Sequence, residues 1–230
     1  MLIDLHAHTK GISRCCKADT ETIIQEAKAK GIDGIVLTNH FQKRYFANST
    51  ESEFTKAYIE EYYNVKDLAE KNGLLCFFGI EVTMEKYPKV HMLVYGVEPS
   101  FLETSHGICD LTQSELFDLV KKNGGILVQA HPYRNGTTVL DPHFLDGVEI
   151  SCHPLYEKSY IEVLLPFAKE NSLCVTCGGD FHADTYRPKC GMYIPESVEN
   201  EFDLAEFIKN KKDIVICHHE PYQEPIDIKL

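Results

Sequence analysis

The sequence predicts an α/β fold in which parallel strands form a ring, and two observations lead to this prediction. Short apolar runs alternate with amphipathic segments along the chain, which is the signature of repeated βα units. No Gly-rich dinucleotide-binding loop follows the first apolar run, so a ring of strands fits better than an open sheet of the dinucleotide-binding type. In such a ring the functional site lies at the carboxyl ends of the strands.

The apolar runs are predicted to be the strands of the ring. They cover 2–5, 34–37, 74–80, 90–95, 126–130, 148–150 and 173–177. Each run is short and consists mostly of aliphatic and aromatic residues, as expected for a buried strand. The segments between the runs are therefore predicted to supply the helices.

Capping signals and helical spacing mark five helices. They are one between Asp19 or Thr20 and Gly31, one over 52–72, one from the capping box Thr112-x-x-Glu115 to Gly124, and weaker ones over 160–171 and 204–211. No internal repeat, linker or low-complexity stretch divides the chain. Residues 1–230 are therefore predicted to form a single domain.

The composition limits the classes of partner. The 230-residue chain has 23 Lys and Arg against 35 Asp and Glu, a net charge of −12, which disfavours binding to duplex nucleic acid. The mean hydropathy of −0.23 and the lack of a long uncharged apolar run argue against a membrane span. No signal peptide is visible, so we expect a cytoplasmic protein whose nine cysteines are reduced thiols.

Ionisable side chains collect where the predicted strands end. These side chains are His6, His8, His40, Glu81, His131, Asp180 and His182, whereas His91 opens its strand. One histidine at a strand end is usually only a hydrogen-bonded polar residue, but the carboxyl ends of parallel strands converge, so all of these are expected to form one cluster. Imidazole and carboxylate ligands together suit a borderline divalent metal such as zinc, manganese or iron.

The other histidines and the cysteines are interpreted one by one. His106, His143, His218 and His219 are expected to be surface or structural residues. His153, just after the sixth run, is open between a metal ligand and a structural residue. The Cys174-x-x-Cys177 pair is interpreted as core packing, because residues three apart in a strand point to opposite faces. Cys15 and Cys16 follow His-x-His closely enough for a thiolate ligand to be considered.

Cations on the loops after the strands are candidates for binding an anionic substrate. They are Arg14, Arg134, Arg187 and Lys189. Loop arginines are most often solvated, but an acidic chain needs locally placed cations if it acts on a phosphate. Arg134, three residues after His131, and Arg187, on the loop after His182, are the stronger candidates for phosphate binding.

Six short motifs carry the candidate ligands. They are DLHAHT over 4–9, TNH ending at His40, GIEV with Glu81, HMLVYG opening at His91, AHPYR with His131, and GGDFH with Asp180 and His182. In this order, and over nearly the whole chain, they resemble the PHP family, whose name abbreviates polymerase and histidinol phosphatase. The resemblance implies a distorted seven-stranded βα barrel, similar to a TIM barrel, with two or three divalent ions and phosphoesterase activity.

The resemblance also implies which residue would bind which ion. His6, His8, Glu81 and Asp180 would hold a first ion, Glu81, His91 and His131 a second, and His40 with His182 a third. Glu81 would bridge the first two ions. The chain departs from the family in its first loop, where many members carry an Asp or His that completes the third site. Here the loop reads ISRCCKAD over 12–19, so Cys15, Cys16 or Asp19 would have to substitute.

The predicted function is hydrolysis of a small phosphomonoester by a metal-dependent phosphoesterase. Two neighbouring ions, with zinc the first expectation and manganese or iron the alternatives, would lower the pKa of a bridging water and present hydroxide to phosphorus. Glu81 would hold the ions, and His40, His182 or a metal-bound water would protonate the leaving alkoxide. Arg134 and Arg187 would bind the phosphate.

Two other functions remain open at this point. A metal-dependent amidohydrolase also has His-x-His after a first barrel strand and an Asp after a late strand. A metal-binding module without turnover is the second alternative. The order of Glu81, Asp180 and His182 favours the phosphoesterase, and an intact ligand set disfavours the inactive module. Neither the substrate, the physiological metal nor the oligomeric state follows from the sequence.

Overall fold

Two six-stranded mixed sheets organise the chain in the computed structural model, which describes residues 1–155, 158–183, 186–210, 214–221 and 223–230. The strands are β1 (Leu2–Ala7), β2 (Gly34–Leu37), β3 (His40–Phe41), β4 (Leu75–Phe78), β5 (Ile80–Thr83), β6 (His91–Tyr95), β7 (Ile126–Gln129), β8 (Gly147–Ser151), β9 (Cys174–Gly178), β10 (Gly191–Tyr193), β11 (Val215–His218) and β12 (Ile226–Lys229). The helices are α1 (Thr20–Ala29), α2 (Glu51–Lys71), α3 (Ser100–Thr104), α4 (Gln113–Lys122), α5 (Ile161–Glu170) and α6 (Glu201–Asn210). The predicted α/β class is confirmed.

Side-chain caps determine where the longer helices begin. The Asp19 side chain accepts a backbone N–H in the first turn of α1, so of the two candidate caps, Asp19 and Thr20, the structure uses Asp19. Helix α2 begins earlier than the predicted residue 52, because Thr50 and Glu53 form a capping box. The predicted capping box at Thr112 is present at the start of α4. The predicted end of the last helix, at residue 211, lies outside the described residues.

Strand directions differ from the predicted ring of parallel strands. One sheet has the order β12-β11-β10-β1-β2-β4 and the other β3-β5-β6-β7-β8-β9. Strand β6 is antiparallel to both β5 and β7, so the parallel prediction is wrong for this strand. Strands β10, β11 and β12, which were not predicted, pair antiparallel with their neighbours. The short connection from β5 to β6 permits only an antiparallel return.

The strands are arranged in two sheets, and the predicted seven-stranded barrel stays a prediction. One feature links the two sheets: an isolated parallel bridge joins Ala7, at the end of β1, to Phe181, just after β9. This bridge brings the carboxyl ends of β1 and β9 side by side, and the residues that follow those two strands are thereby brought together.

The third predicted strand is divided between the two sheets. Residues 74–80 were expected to form one strand, but β4 and β5 are separated at Gly79. A Cβ atom at Gly79 would lie 2.8 Å from the side chains of both Thr38 and Val36, so a larger residue does not fit at this crossing. The division places Glu81 on β5 in the second sheet.

The antiparallel direction of β6 accounts for the position of His91. In the register of the sheet His91 lies opposite Thr83, the last residue of β5, and the next residue of β6 lies opposite Gln129, the last residue of β7. Because β6 runs the opposite way, its amino end lies beside the carboxyl ends of its neighbours. His91 therefore joins the same edge of the sheet as the other candidate ligands.

Hydrogen bonds from two buried tyrosines help to hold the site edge in place. The Tyr58 hydroxyl, on α2, donates to the carbonyl oxygens of Asn39 and Gly79, and the Tyr95 hydroxyl donates to the carbonyl oxygen of Leu5. These bonds satisfy carbonyls close to the strand ends that carry His40, Glu81 and His6.

Among the described residues, none of the helices combines the length and apolar character needed to cross a membrane.

Candidate metal centre

Two histidines at the end of β1 direct ring nitrogens to a common point. His6 and His8 are two residues apart on an extended, fully buried segment, and their Nε2 atoms are 3.0 Å apart. The other ring nitrogens are held from behind: Nδ1 of His6 lies 2.7 Å from Glu149, and Nδ1 of His8 lies 3.0 Å from the Ser13 hydroxyl. Partners on Nδ1 leave Nε2 available for an ion.

Glu81 is surrounded by histidines on both of its carboxylate oxygens. Its Oε1 lies 2.8 Å from Nδ1 of His91 and 3.1 Å from Nε2 of His131. Its Oε2 lies 2.6 Å from Nδ1 of His40 and 3.4 Å from Nε2 of His8. A single buried carboxylate thus contacts side chains from four different strands or strand ends, as the predicted bridging position requires.

Asp180 forms the second carboxylate of the cluster. Its Oδ1 lies 3.0 Å from Nε2 of His8 and 3.4 Å from Nε2 of His6, and its Oδ2 accepts a hydrogen bond from Arg134. Asp180 has a φ of 47° and His131 a φ of 31°, a left-handed region that residues other than glycine seldom adopt. Such backbone strain is typical of functional sites, where the surrounding structure holds it in place.

Both central carboxylates retain negative charge in this setting. Burial alone would raise the pKa of Glu81, but the surrounding histidines, His40 first among them, outweigh burial and hold that pKa well below its ordinary value. Burial likewise opposes ionisation of Asp180, and His6 and Arg134 outweigh it, so the pKa of Asp180 is also well below its ordinary value. Two anionic groups are therefore available to a cation.

The histidines divide into neutral and protonated rings. Burial lowers the pKa of His8 well below its ordinary value and that of His131 to about 3. Burial alone would also lower the pKa values of His6 and His40, but nearby carboxylates outweigh burial and raise both. The pKa of His40 rises to about 10, and Glu81 is the main cause. The nearby carboxylates thus favour the protonated forms of His6 and His40.

Among the described residues, three buried atoms at the centre of the site have no hydrogen bond. They are Oε2 of Glu81, Oδ1 of Asp180 and Nδ1 of His40. Each approaches its neighbours closely, but without hydrogen-bond angles. Buried polar atoms without a partner are costly, and divalent cations among these atoms would satisfy them. The donor set of imidazole nitrogens and carboxylate oxygens fits such a cation.

All eight predicted ligands lie together in the structure. Within the described residues, four sets of three have ligand atoms within 4.8 Å of one another: His6, His8 and Glu81; His40, Glu81 and His91; His8, His40 and His182; and His153, Asp180 and His182. His131 contacts Glu81 directly. His153, which the sequence left open, belongs to the last set and is buried.

The cysteine pair and one of the minor histidines have structural environments. Cys174 and Cys177 are buried, and Sγ of Cys177 lies 3.6 Å from Sγ of Cys152, in agreement with core packing. His218 is buried with its Nε2 2.9 Å from the Ser159 hydroxyl, in agreement with a structural role.

The two predicted phosphate-binding arginines lie in different environments. Arg134 pairs with Asp180 at the site, and it borders three cavities of about 580, 470 and 210 Å³. Arg187 has no exposed surface, pairs with Asp4 and lies over the Phe181 ring. The structure therefore brings Arg134 to the site surface and places Arg187 behind it, where contact with a substrate would require the pair to open.

We expect the Arg187→Met variant to be less stable by about 3–5 kcal/mol, because removing one partner leaves the Asp4 charge buried and unpaired. Asp4 also accepts hydrogen bonds from the backbone N–H groups of His6 and Gly179. A displaced Asp4 side chain would therefore also disturb the positions of the predicted metal ligands His6 and Asp180. Urea unfolding measures the change. An unchanged free energy of unfolding together with a raised KM would instead support the substrate contact predicted from the sequence.

Sequence reasoning missed three residues that orient the ligands. Glu149, fully buried on β8, accepts from the backbone N–H of His131 and contacts Nδ1 of His6. Ser13 contacts His8, and its hydroxyl also donates to the Asn39 side chain. An acidic residue inside the apolar run 148–150 was the one available signal for Glu149, whereas Ser13 and Asn39 carried none.

Replacing Glu149 with glutamine should weaken metal binding by about 10–100-fold, the usual effect of losing a partner that orients a ligand. The substitution removes the charge that orients His6 while keeping nearly the same shape. Competition against a coloured chelator measures the affinity, with Glu162→Gln on the exposed face of α5 as the matched control. Equal affinities for the two variants would show that Glu149 has no such role.

No family model and no curated protein matches this sequence. Solved structures share its fold. A protein from Bifidobacterium adolescentis named as a metal-dependent phosphoesterase has 18% identity and a TM-score of 0.54, and the match covers 89% of this chain and 94% of that one. An amidohydrolase from Chromobacterium violaceum, with bound sulfate, has 15% identity and a TM-score of 0.57 over 90% and 96% of the two chains.

A third solved structure of the same fold is a lesion-specific endonuclease, EndoQ from Pyrococcus furiosus. It has 14% identity and a TM-score of 0.59, and the match covers 96% of this chain but only 59% of that one. Identities this low establish a shared fold and no more. The phosphoesterase and the endonuclease are nevertheless consistent with the resemblance to the PHP family that the motifs indicate.

Proposed function

We propose that this chain is a metal-dependent hydrolase and that its substrate is a small phosphomonoester. The observation that supports this most strongly is the position of Glu81, whose two oxygens lie among His40, His91 and His131 with one oxygen lacking a hydrogen bond. Neighbours of the same fold that are named as a phosphoesterase, an amidohydrolase and an endonuclease agree with a hydrolase.

The ligand assignment we propose follows the contacts around the two carboxylates. His6, His8, Glu81 and Asp180 would hold one ion, and Glu81, His91 and His131 a second. When bound, the ions would supply the Lewis acidity that activates a water nucleophile and neutralises phosphoryl oxygens. Glu149 and Ser13 would keep His6 and His8 oriented as ligands.

Arg134 is the proposed phosphate-binding residue. Its side chain is 18% exposed, is held by Asp180 and borders all three cavities at the site. A guanidinium fixed in this way can donate two hydrogen bonds to a dianionic terminal phosphate while its position is maintained from behind. The fixed cation also compensates for the acidic charge of the chain near the substrate.

The cavities suggest where the parts of the substrate would bind. The smallest is lined by His40, Asp180 and His182, so we assign the phosphoryl group and the leaving oxygen to this space. The largest extends from His131 past Tyr133 to Tyr160 and Lys158, and its 580 Å³ is in the range of pockets for small molecules. This size supports a compact organic leaving group.

An amidohydrolase is the second candidate, because a neighbour of this fold carries that name. A fold shared with a lesion-specific endonuclease also means that the fold alone does not decide against nucleic acid. The test is a panel on metal-loaded protein: a phosphate monoester, the diester with the same leaving group, a cyclic amide and a short single-stranded oligonucleotide. We expect metal-dependent release of phosphate from the monoester. Hydrolysis confined to the amide or the oligonucleotide would refute the proposal.

A further inference from the structure

The loop between β1 and α1 places one thiol at the metal centre. Sγ of Cys15 lies 3.2 Å from Nε2 of His182, and the Tyr45 hydroxyl donates to the same sulfur at 3.4 Å. Cys15 borders the 210 Å³ cavity together with His40 and His182. It is also exposed, whereas the eight other cysteines of the chain are buried. A solvent-accessible sulfur is therefore in contact with a predicted metal ligand.

The hydrogen bonding of His182 leaves its Nε2 lone pair directed at this sulfur. Nδ1 of His182 lies 2.8 Å from the carbonyl oxygen of Asp180. A carbonyl oxygen only accepts, so the proton of the neutral ring resides on Nδ1 and the lone pair on Nε2. Histidines that bind metals usually donate their other ring N–H to such a group. His182 is thus arranged as an Nε2 ligand, and the atom it faces is Sγ of Cys15.

A second imidazole lies at the same place. The ligand atoms of His8, His40 and His182 lie within 4.8 Å of one another, and the rings of His40 and His182 are 5.9 Å apart. Nδ1 of His40 is buried and lies 2.6 Å from Oε2 of Glu81 without forming a hydrogen bond, so the ring is not held by a hydrogen bond at that atom. Two imidazoles and one thiol together supply three of the four donors of a tetrahedral zinc site.

The other two candidates in this loop are used elsewhere. Sγ of Cys16 is buried and donates to the carbonyl oxygen of His8 at 3.3 Å. The Asp19 side chain caps α1 and pairs with Lys10 at the surface. The structure therefore distinguishes among three residues that the sequence left equal.

We propose that Cys15 is the thiolate ligand of a further metal ion that is also held by His40 and His182. Binding would break the S–H bond, release the proton to solvent and form a sulfur–metal bond. A sulfur donor favours zinc, cobalt or cadmium over magnesium or manganese at this position. The inference rests on the proposed metal centre, but it concerns an additional ion and a different kind of donor.

Cobalt(II) is the probe for this site, because a thiolate bound to it gives a charge-transfer band in the near ultraviolet. We expect the wild-type protein reconstituted with cobalt to show this band. The Cys15→Ser variant should lose both the band and one equivalent of bound cobalt. The Cys16→Ser variant should keep the band. Circular dichroism verifies that both variants fold. A band that is absent from the wild-type protein or that persists in Cys15→Ser would overturn the inference.

Metal content separates this inference from the proposed function. If Cys15→Ser keeps two equivalents of cobalt and the wild-type protein binds three, both stand. If both proteins bind two equivalents, the inference fails while the proposed dinuclear centre survives. A wild-type protein that binds no cobalt would refute the proposed function as well.

Alkylation gives a readout that does not depend on spectra. Iodoacetamide should modify Cys15 in the metal-free protein, forming an S–C bond with loss of iodide, and bound cobalt should slow this reaction by at least about tenfold because the lone pair is occupied. Peptide mass spectrometry locates the modified residue. Equal rates with and without cobalt would contradict a sulfur–metal bond.

Discussion

We expect the Glu81→Gln variant to lose hydrolysis by about 10²–10³-fold or more, the scale seen when a central electrostatic group of an active site is removed. Metal content should fall at the same time. The reason is that Glu81 contacts five histidines through its two oxygens, so the amide removes the charge that is placed to be shared between two ions. Two cations without that charge repel each other.

The matched control for this variant is Glu60→Gln, which makes the same chemical change on the exposed face of α2. Kinetics, elemental analysis and circular dichroism are compared between the two variants. We expect that both variants fold and that only Glu81→Gln loses metal and turnover. Most of the wild-type activity in Glu81→Gln would show that Glu81 does not bridge the ions.

Removal of the Arg134 side chain should cost about 2–3 kcal/mol in kcat/KM for a phosphomonoester, the range expected for a charge-assisted contact to phosphate. At 25 °C this corresponds to a factor of about 30–150. The loss should be smaller for a diester with the same leaving group, because a diester carries only one negative charge. Kinetics of Arg134→Ala on both esters measure the difference.

Arg134→Lys distinguishes the geometry of the contact from its charge. Lysine keeps the charge but lacks the planar pair of donors, so partial recovery is expected. Metal content is measured in parallel, since Arg134 pairs with the ligand Asp180. An unchanged kcat/KM for the monoester in Arg134→Ala, with metal retained, would remove Arg134 from the phosphate site and leave the metal centre in place.

The fold was predictable where local signals act alone. The cap at Asp19 and the capping box at Thr112 mark helix starts that the structure contains, because the donors and acceptors lie within four residues of each other. The direction of β6 was missed, although the connection from β5 is too short for a parallel crossover. The strands β10, β11 and β12 were also not predicted, because each has only three or four residues, too few to show a strand pattern.

The candidate site was more predictable than the fold that carries it. Ligands such as His6 and Asp180 directly continue or follow apolar runs, and convergence of strand ends then places them together. The orienting residue Glu149 and the burial of Arg187 were not predictable, because each depends on a partner more than a hundred residues away. A sequence shows which residues have the chemistry of a ligand, but long-range packing decides which of them contact each other.

We propose that this chain holds at least two divalent ions around Glu81 and Asp180. Elemental analysis of protein that has been purified without exposure to chelators tests it most directly. The structure predicts two or more equivalents of a transition metal for each chain, because the convergent histidines and carboxylates supply donors for at least two ions. One equivalent or less, unchanged after addition of zinc or manganese, would contradict it.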